Sequence, residues 1–116
     1  MLTADPVFLT EEAVLEIHAE ALTEFGGAQG ILNPGLLSSA IAQPSATFLG
    51  IFLNRGLHAM AAAYLYHLAK NHPFVEGNKR TAITAALTFL ELNGVSVEHD
   101  APRAWRSWLL LLWRDA

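Results

Sequence analysis

Residues 56–71, GLHAMAAAYLYHLAKN, constrain this chain more than any other run. The run is Ala-rich, carries no proline, and is apolar around most of a helical circumference. Such a helix has no polar face to offer water, so it belongs at the centre of a bundle. A second run of the same character, KRTAITAALTFLELNG, predicts a helix from about Asn78 to Asn93, closed by Gly94. Two central helices need others to cover them. Thr10 reads as an N-cap with Glu11 and Glu12 in the first turn, where acids complement the helix dipole. Val14, Ile17, Ala21, Leu22 and Phe25 then recur at helical spacing until Gly26-Gly27. Asn33-Pro34 opens a short helix through Leu36, Leu37, Ala40 and Ile41, and Pro44 stops it. Ser45 to Arg55 contains TFLGIFL, apolar on every side and compatible with helix or strand. Asp100, before Ala101-Pro102, can cap an expected last helix carrying the three tryptophans. The expected fold class is all-α for the most part: one compact helical domain over residues 1–116, with the short polar stretch around residues 72–80 forming a loop between the two central helices. At most one short extended element is expected, around Val95 to Val97.

Composition narrows the function. With 53% hydrophobic and 16% charged residues the chain is core-rich and globular. It has no Cys, which excludes a disulfide scaffold, a thiolate metal site and a Cys nucleophile. That composition fits a reducing cytoplasm. No basic, apolar leader opens the chain, and the block Trp108–Trp113 is too short to span a bilayer. A net charge of −4 without a Lys/Arg block argues against direct nucleic-acid binding.

Against that apolar background, His72-Pro73-Phe74-Val75-Glu76-Gly77-Asn78-Lys79-Arg80 concentrates polar chemistry between the two central helices. Pro73 ends the preceding helix near His72. Gly77 permits a tight turn, and Asn78 is expected to cap the next helix. The amides of Gly77, Asn78 and Lys79 then sit at a helix N-terminus, an anion site, with Arg80 and Lys79 adding a donor fork and a point charge. Glu76 is the nearby carboxylate that would hold Mg²⁺. His72 is the candidate general base, since its ordinary pKa lies near neutrality. Singly, each residue has an ordinary structural explanation. Lys79 and Arg80 are the exception, because cations at a helix N-terminus oppose the dipole and an incoming phosphate would relieve that cost. Together these parts read as a nucleotide phosphoryl or nucleotidyl transfer site.

The nine residues also resemble the Fic/Doc signature H-P-F-x-[D/E]-G-N-x-R at every fixed position. The position of Lys79 is usually Gly in the Fic branch and Lys in the Doc branch, the death-on-curing toxins of toxin–antitoxin pairs. EFGGAQG, LLSSAIAQP and TAITAALTFLELNGV resemble the same regions of Doc-like toxins, so the likeness covers roughly residues 7–98. The resemblance implies an α-helical fold and assigns His72 as base and Glu76 as ligand of the nucleotide-bound metal. It assigns Gly77 and Asn78 to the anion hole, Lys79 and Arg80 to phosphate, and Phe74 to the packing beneath the loop. It implies ATP and Mg²⁺, with the γ-phosphate passing to a protein hydroxyl. The implied partners are a cognate antitoxin and a protein substrate, with elongation factor Tu as the family-level candidate. Glu76 and Gly77 stand where the strict Doc version often has Asp and Ala, which keeps Fic-type AMP transfer as the alternative. A catalytically silent Fic-fold interaction protein is the reading from another class.

Other residues carry less. His18, His58, His67 and His99 lack any metal-ligand spacing. No hexapeptide of the form [S/T]-x-x-x-E-[G/N] is present, so an inhibitor is expected from outside the chain. Gly26–Gly35 and Pro44–Gly56 are the two candidate flaps for a docking target. Trp105, Trp108, Leu109, Leu112 and Trp113 share a helical face, while Leu110 and Leu111 fall off it. A homodimer contact and an antitoxin contact both remain open there.

Overall fold

The computed structural model describes residues 5–96. Four helices make up most of that span. Helix α1 runs Glu11–Phe25, α2 Pro34–Ala42, α3 Leu57–Asn71 and α4 Asn78–Leu92. The local signals act where the sequence puts them. Thr10 Oγ1 accepts from the Ala13 N–H at 3.1 Å, and Asn33 Oδ1 accepts from the Leu36 N–H at 3.0 Å. Pro44 is buried in a single 3-10 turn, Gln43–Ser45, that ends α2. The ambiguous TFLGIFL segment folds as a two-strand antiparallel hairpin, β1 Thr47–Phe48 and β2 Ile51–Phe52. Leu49 and Gly50 between them both have positive φ, 52° and 80°, which suits the twist of a tight hairpin. Val95 and Ser96 belong to no strand. Val97, the expected Asp100 cap and the expected tryptophan-bearing helix lie outside the described residues.

Helices α3 and α4 pack against each other more extensively than any other pair. Small residues let them approach: Ala61 and Ala63 on α3 and Ala82, Ala85 and Ala86 on α4 are all buried. Tyr64, Leu65, Leu68, Phe89 and Leu90 fill the space around that contact. Burying the Tyr64 ring leaves its hydroxyl needing a partner, and it accepts from the Leu9 N–H at 2.8 Å. Burial raises the Tyr64 pKa above its usual value, with the Leu9 hydrogen bond acting weakly the other way. Asn93 exchanges two hydrogen bonds with the Val7 backbone, at 2.8 and 3.0 Å, and so ties the N-terminal segment to the end of α4.

Two members of the expected apolar stripe on α1, Leu22 and Phe25, are not in the core. Val14, Ile17 and Ala21 are buried, but Phe25 is 46% exposed at the helix end. Its ring instead lies 3.8 Å from the guanidinium carbon of Arg80. No helix among the described residues is long and apolar enough to cross a membrane.

Candidate active site

The loop from His72 to Gly77 is a break in helix direction, made by backbone constraints at both ends. Pro73 bars a right-handed helical conformation at the residue before it. His72 closes α3 in the left-handed region instead, with φ 50° and ψ 54°. For a residue with a β-carbon that conformation costs roughly 1–2 kcal/mol. Gly77 turns the chain again at φ 83°, where glycine incurs no such cost, and α4 begins at Asn78.

Between these ends the loop is held from below. Phe74 is buried to 1% exposure. Asn78 Oδ1 accepts from the Phe74 N–H at 2.9 Å, and Asn78 Nδ2 donates to the Phe74 carbonyl at 2.8 Å. Asn78 therefore does not cap α4, as the sequence suggests. Gly77 occupies the cap position with no side-chain hydrogen bond, and the Asn78 amide is spent on closing the loop. What Asn78 offers the N-terminus is its backbone N–H, since the first amides of a helix have no partner within it.

Above the loop lies an open cavity of about 460 Å³. His72, Glu76, Gly77, Asn78, Lys79 and Arg80 all line it, with Phe25, Gly26 and Gly27 of the facing segment. Seven of the nine motif residues thus reach one space when Val75 is included, while Pro73 and Phe74 lie beneath it. Lys79 and Arg80 fall in the first turn of α4, which contains no acid. The electrostatic cost inferred from the sequence is therefore present in the fold.

Metal chemistry is constrained by the donor set. Among the described residues no three His, Cys, Asp or Glu side chains gather as a metal cluster. A lone exposed carboxylate at a cavity wall does not hold a resident cation. It does fit Mg²⁺ arriving with a nucleotide, because that ion takes one or two carboxylates and fills its remaining positions with phosphate oxygens and water. The Glu76 carboxylate lies close to the Gly27 backbone. A β-carbon built on Gly27 would lie 2.8 Å from Glu76 Oε2, and the Gly27 φ of 124° itself favours glycine, so the two segments approach closely here.

The Fic/DOC family model matches residues 8–90, a span that takes in the motif loop and both candidate flaps. The chain belongs to the Fic/DOC family. It is 45% identical over 93 residues to Toxin Doc of Mycolicibacterium smegmatis, covering 80% of this chain and 69% of that relative. It is 33% identical over 94 residues to Protein kinase doc of Escherichia phage P1, covering 81% of this chain and 73% of the phage protein.

Three features of this Fic/DOC site were not read from the sequence. His18, noted there only as a failed metal ligand, is buried under the motif, and its Nε2 lies 2.8 Å from the Glu76 carbonyl oxygen. Its ring stacks on Phe74 at 3.7 Å and 8°. Phe25 pairs with Arg80 as described above. The segment 30–33 runs antiparallel to the motif: the Leu32 N–H donates to the Pro73 carbonyl at 2.7 Å and the Val75 N–H to the Gly30 carbonyl at 3.0 Å. Of the two candidate flaps, Gly26–Gly35 abuts the motif. The Thr47–Phe52 hairpin contributes no residue to the cavity lining.

Proposed function

We propose that this chain is the toxin of a toxin–antitoxin pair and transfers the γ-phosphate of Mg²⁺-bound ATP to a hydroxyl of a target protein. The observation that carries the reading is the convergence of His72, Glu76, Lys79 and Arg80 on one cavity at the cationic N-terminus of α4. In this reading His72 removes the proton from the target hydroxyl, whose oxygen then bonds to the γ-phosphorus. The bond from that phosphorus to the β,γ-bridging oxygen breaks, and ADP leaves. Arg80 and the first amides of α4 bind phosphate oxygens, where preorganised donors stabilise developing charge. Glu76 holds the Mg²⁺ that accompanies the nucleotide. Lys79 lines the cavity where the Fic branch usually carries Gly; in this reading its side chain takes the space a Fic-type α-phosphate would need, which supports γ-transfer over AMP transfer. The name of the phage P1 relative agrees with a kinase.

Label transfer tests the reaction type. With purified elongation factor Tu as the first acceptor, and a lysate as the second, label from γ-labelled ATP moves to protein and label from α-labelled ATP does not. Transfer of α-label at a comparable rate overturns the kinase reading in favour of AMP transfer. The proposed antitoxin would occupy this cavity or its approaches, acting in the cytoplasm. Expression of the chain alone arrests growth, and co-expression of the neighbouring gene's product restores it.

Mg²⁺-ATP raises the melting temperature of the protein, because a ligand that binds only the folded state stabilises it by mass action. Arg80→Ala abolishes most of that rise, and Glu76→Ala leaves a smaller rise that no longer depends on Mg²⁺. Differential scanning fluorimetry of the three proteins, with and without nucleotide, checks it. A full shift in Arg80→Ala would put the anion site elsewhere.

A further inference from the structure

We infer that His18 is a positioning residue for the anion hole: it holds the Glu76–Gly77 peptide so that the Gly77 N–H faces the cavity. The inference rests on the phosphate-handling reading of that cavity and extends it to a residue outside the motif. His18 is 6% exposed on α1, and its Nε2 lies 2.8 Å from the Glu76 carbonyl oxygen. A carbonyl can only accept, so Nε2 carries the proton. The Glu76–Gly77 peptide is trans, and in a trans peptide the C=O and the following N–H point in opposite directions. With the Glu76 C=O drawn down onto α1, the Gly77 N–H is turned up, towards the cavity that Gly77 lines. No acceptor among the described residues takes that N–H.

The ring is placed with two restraints. It stacks flat on Phe74, at 3.7 Å and 8°. Gly77 sits over its edge, where a β-carbon would lie 3.5 Å from Cδ2 and 3.6 Å from Nε2. A peptide between two flexible residues such as Glu76 and Gly77 would otherwise flip with little resistance, since glycine accepts both signs of φ. The His18 hydrogen bond removes that freedom before any phosphate arrives. Its effect falls on anion affinity through Gly77, without contact between His18 and the ligand.

The test uses ¹⁵N-labelled full chain titrated with inorganic phosphate. In the wild type the Gly77 amide shifts on phosphate addition, and a long-range imidazole spectrum shows His18 as the Nε2–H tautomer. His18→Phe keeps an aromatic ring on Phe74 but removes the donor; it weakens phosphate binding about tenfold or more, the scale of a hydrogen bond to a charged group. His18→Gln returns an N–H at similar reach and restores most of the affinity, which a packing role would not predict. A His18→Phe protein that binds phosphate like wild type overturns the inference, as does an unresponsive Gly77 amide. So does an Nδ1–H tautomer, which needs no variant to fold. The label-transfer experiment separates the two claims. Normal γ-transfer with an unresponsive Gly77 sinks only the His18 role, whereas a responsive Gly77 and no transfer of either label sinks only the kinase reading.

Discussion

If His72 is the base of the proposed transfer, His72→Ala lowers its rate by roughly two to four orders of magnitude, the usual range for loss of a general base. The fold does not suffer. His72 is exposed at the cavity edge, and no side-chain hydrogen bond to another described residue holds it. The more searching variant is His72→Gly. The native residue sits at φ 50° and ψ 54°, a conformation that costs a β-carbon-bearing residue roughly 1–2 kcal/mol and costs glycine almost nothing. Glycine also loses more chain entropy on folding, by about 0.5–1 kcal/mol. The two effects leave His72→Gly as stable as the wild type or slightly more so, and equally inactive. Chemical denaturation beside the transfer assay measures both. A His72→Gly protein that melts far below wild type would mean that the imidazole supports the fold. Full activity in either variant would remove His72 from the mechanism. Strain kept at a residue that a simpler one would relieve is the expected mark of a functional constraint.

The strain at His72 illustrates what the sequence does and does not reveal. That α3 ends there follows from Pro73 alone, a constraint acting between neighbours. The same holds for Thr10, Asn33-Pro34 and Gly94, where a side chain or a missing β-carbon acts within a few residues of itself. Helix boundaries were legible for that reason, and so was the motif, whose chemistry is contiguous. His18, Phe25 and the segment 30–33 were not. Each acts on the motif across 40 or more residues of chain: His18 on Glu76, Phe25 on Arg80, Leu32 on Pro73. Periodicity placed Phe25 in the apolar stripe because a phenyl ring is apolar. It could not show that the stripe runs off the core's end where a guanidinium lies. The TFLGIFL segment, open to helix or strand from its sequence, is a hairpin for a different reason. Its side chains are apolar on both faces, so no period of two or of 3.6 stands out, and the deciding feature is the pair of positive φ angles at Leu49 and Gly50.

Asn78→Asp separates the capping role that the sequence suggests from the one the fold assigns. If Asn78 capped α4, aspartate would serve as well or better, since an acid at a helix N-terminus complements the dipole. In the structure the side chain is 4% exposed and uses both of its polar atoms on Phe74, accepting from the N–H and donating to the carbonyl. Aspartate keeps the acceptor and loses the donor. Its second oxygen then faces the Phe74 carbonyl, two acceptors in contact in a buried site. Asn78→Ala loses both bonds and strands two buried backbone groups. Each unsatisfied group costs about 1–3 kcal/mol, so Asn78→Ala is destabilised by about 2–6 kcal/mol, and Asn78→Asp by a comparable amount because its stranded carbonyl also faces a charged oxygen. In a domain of this size that lowers the melting temperature by roughly 6–30 °C. The loop frays first, because Phe74 anchors the backbone that carries Glu76 and Gly77, so nucleotide-induced stabilisation disappears along with the lost stability. Thermal melts of wild type, Asn78→Asp and Asn78→Ala measure this directly. An Asn78→Asp protein as stable as wild type would return Asn78 to the role of a cap. A loss comparable to that of Asn78→Ala means that the amide nitrogen, the one atom aspartate cannot supply, holds the motif loop closed.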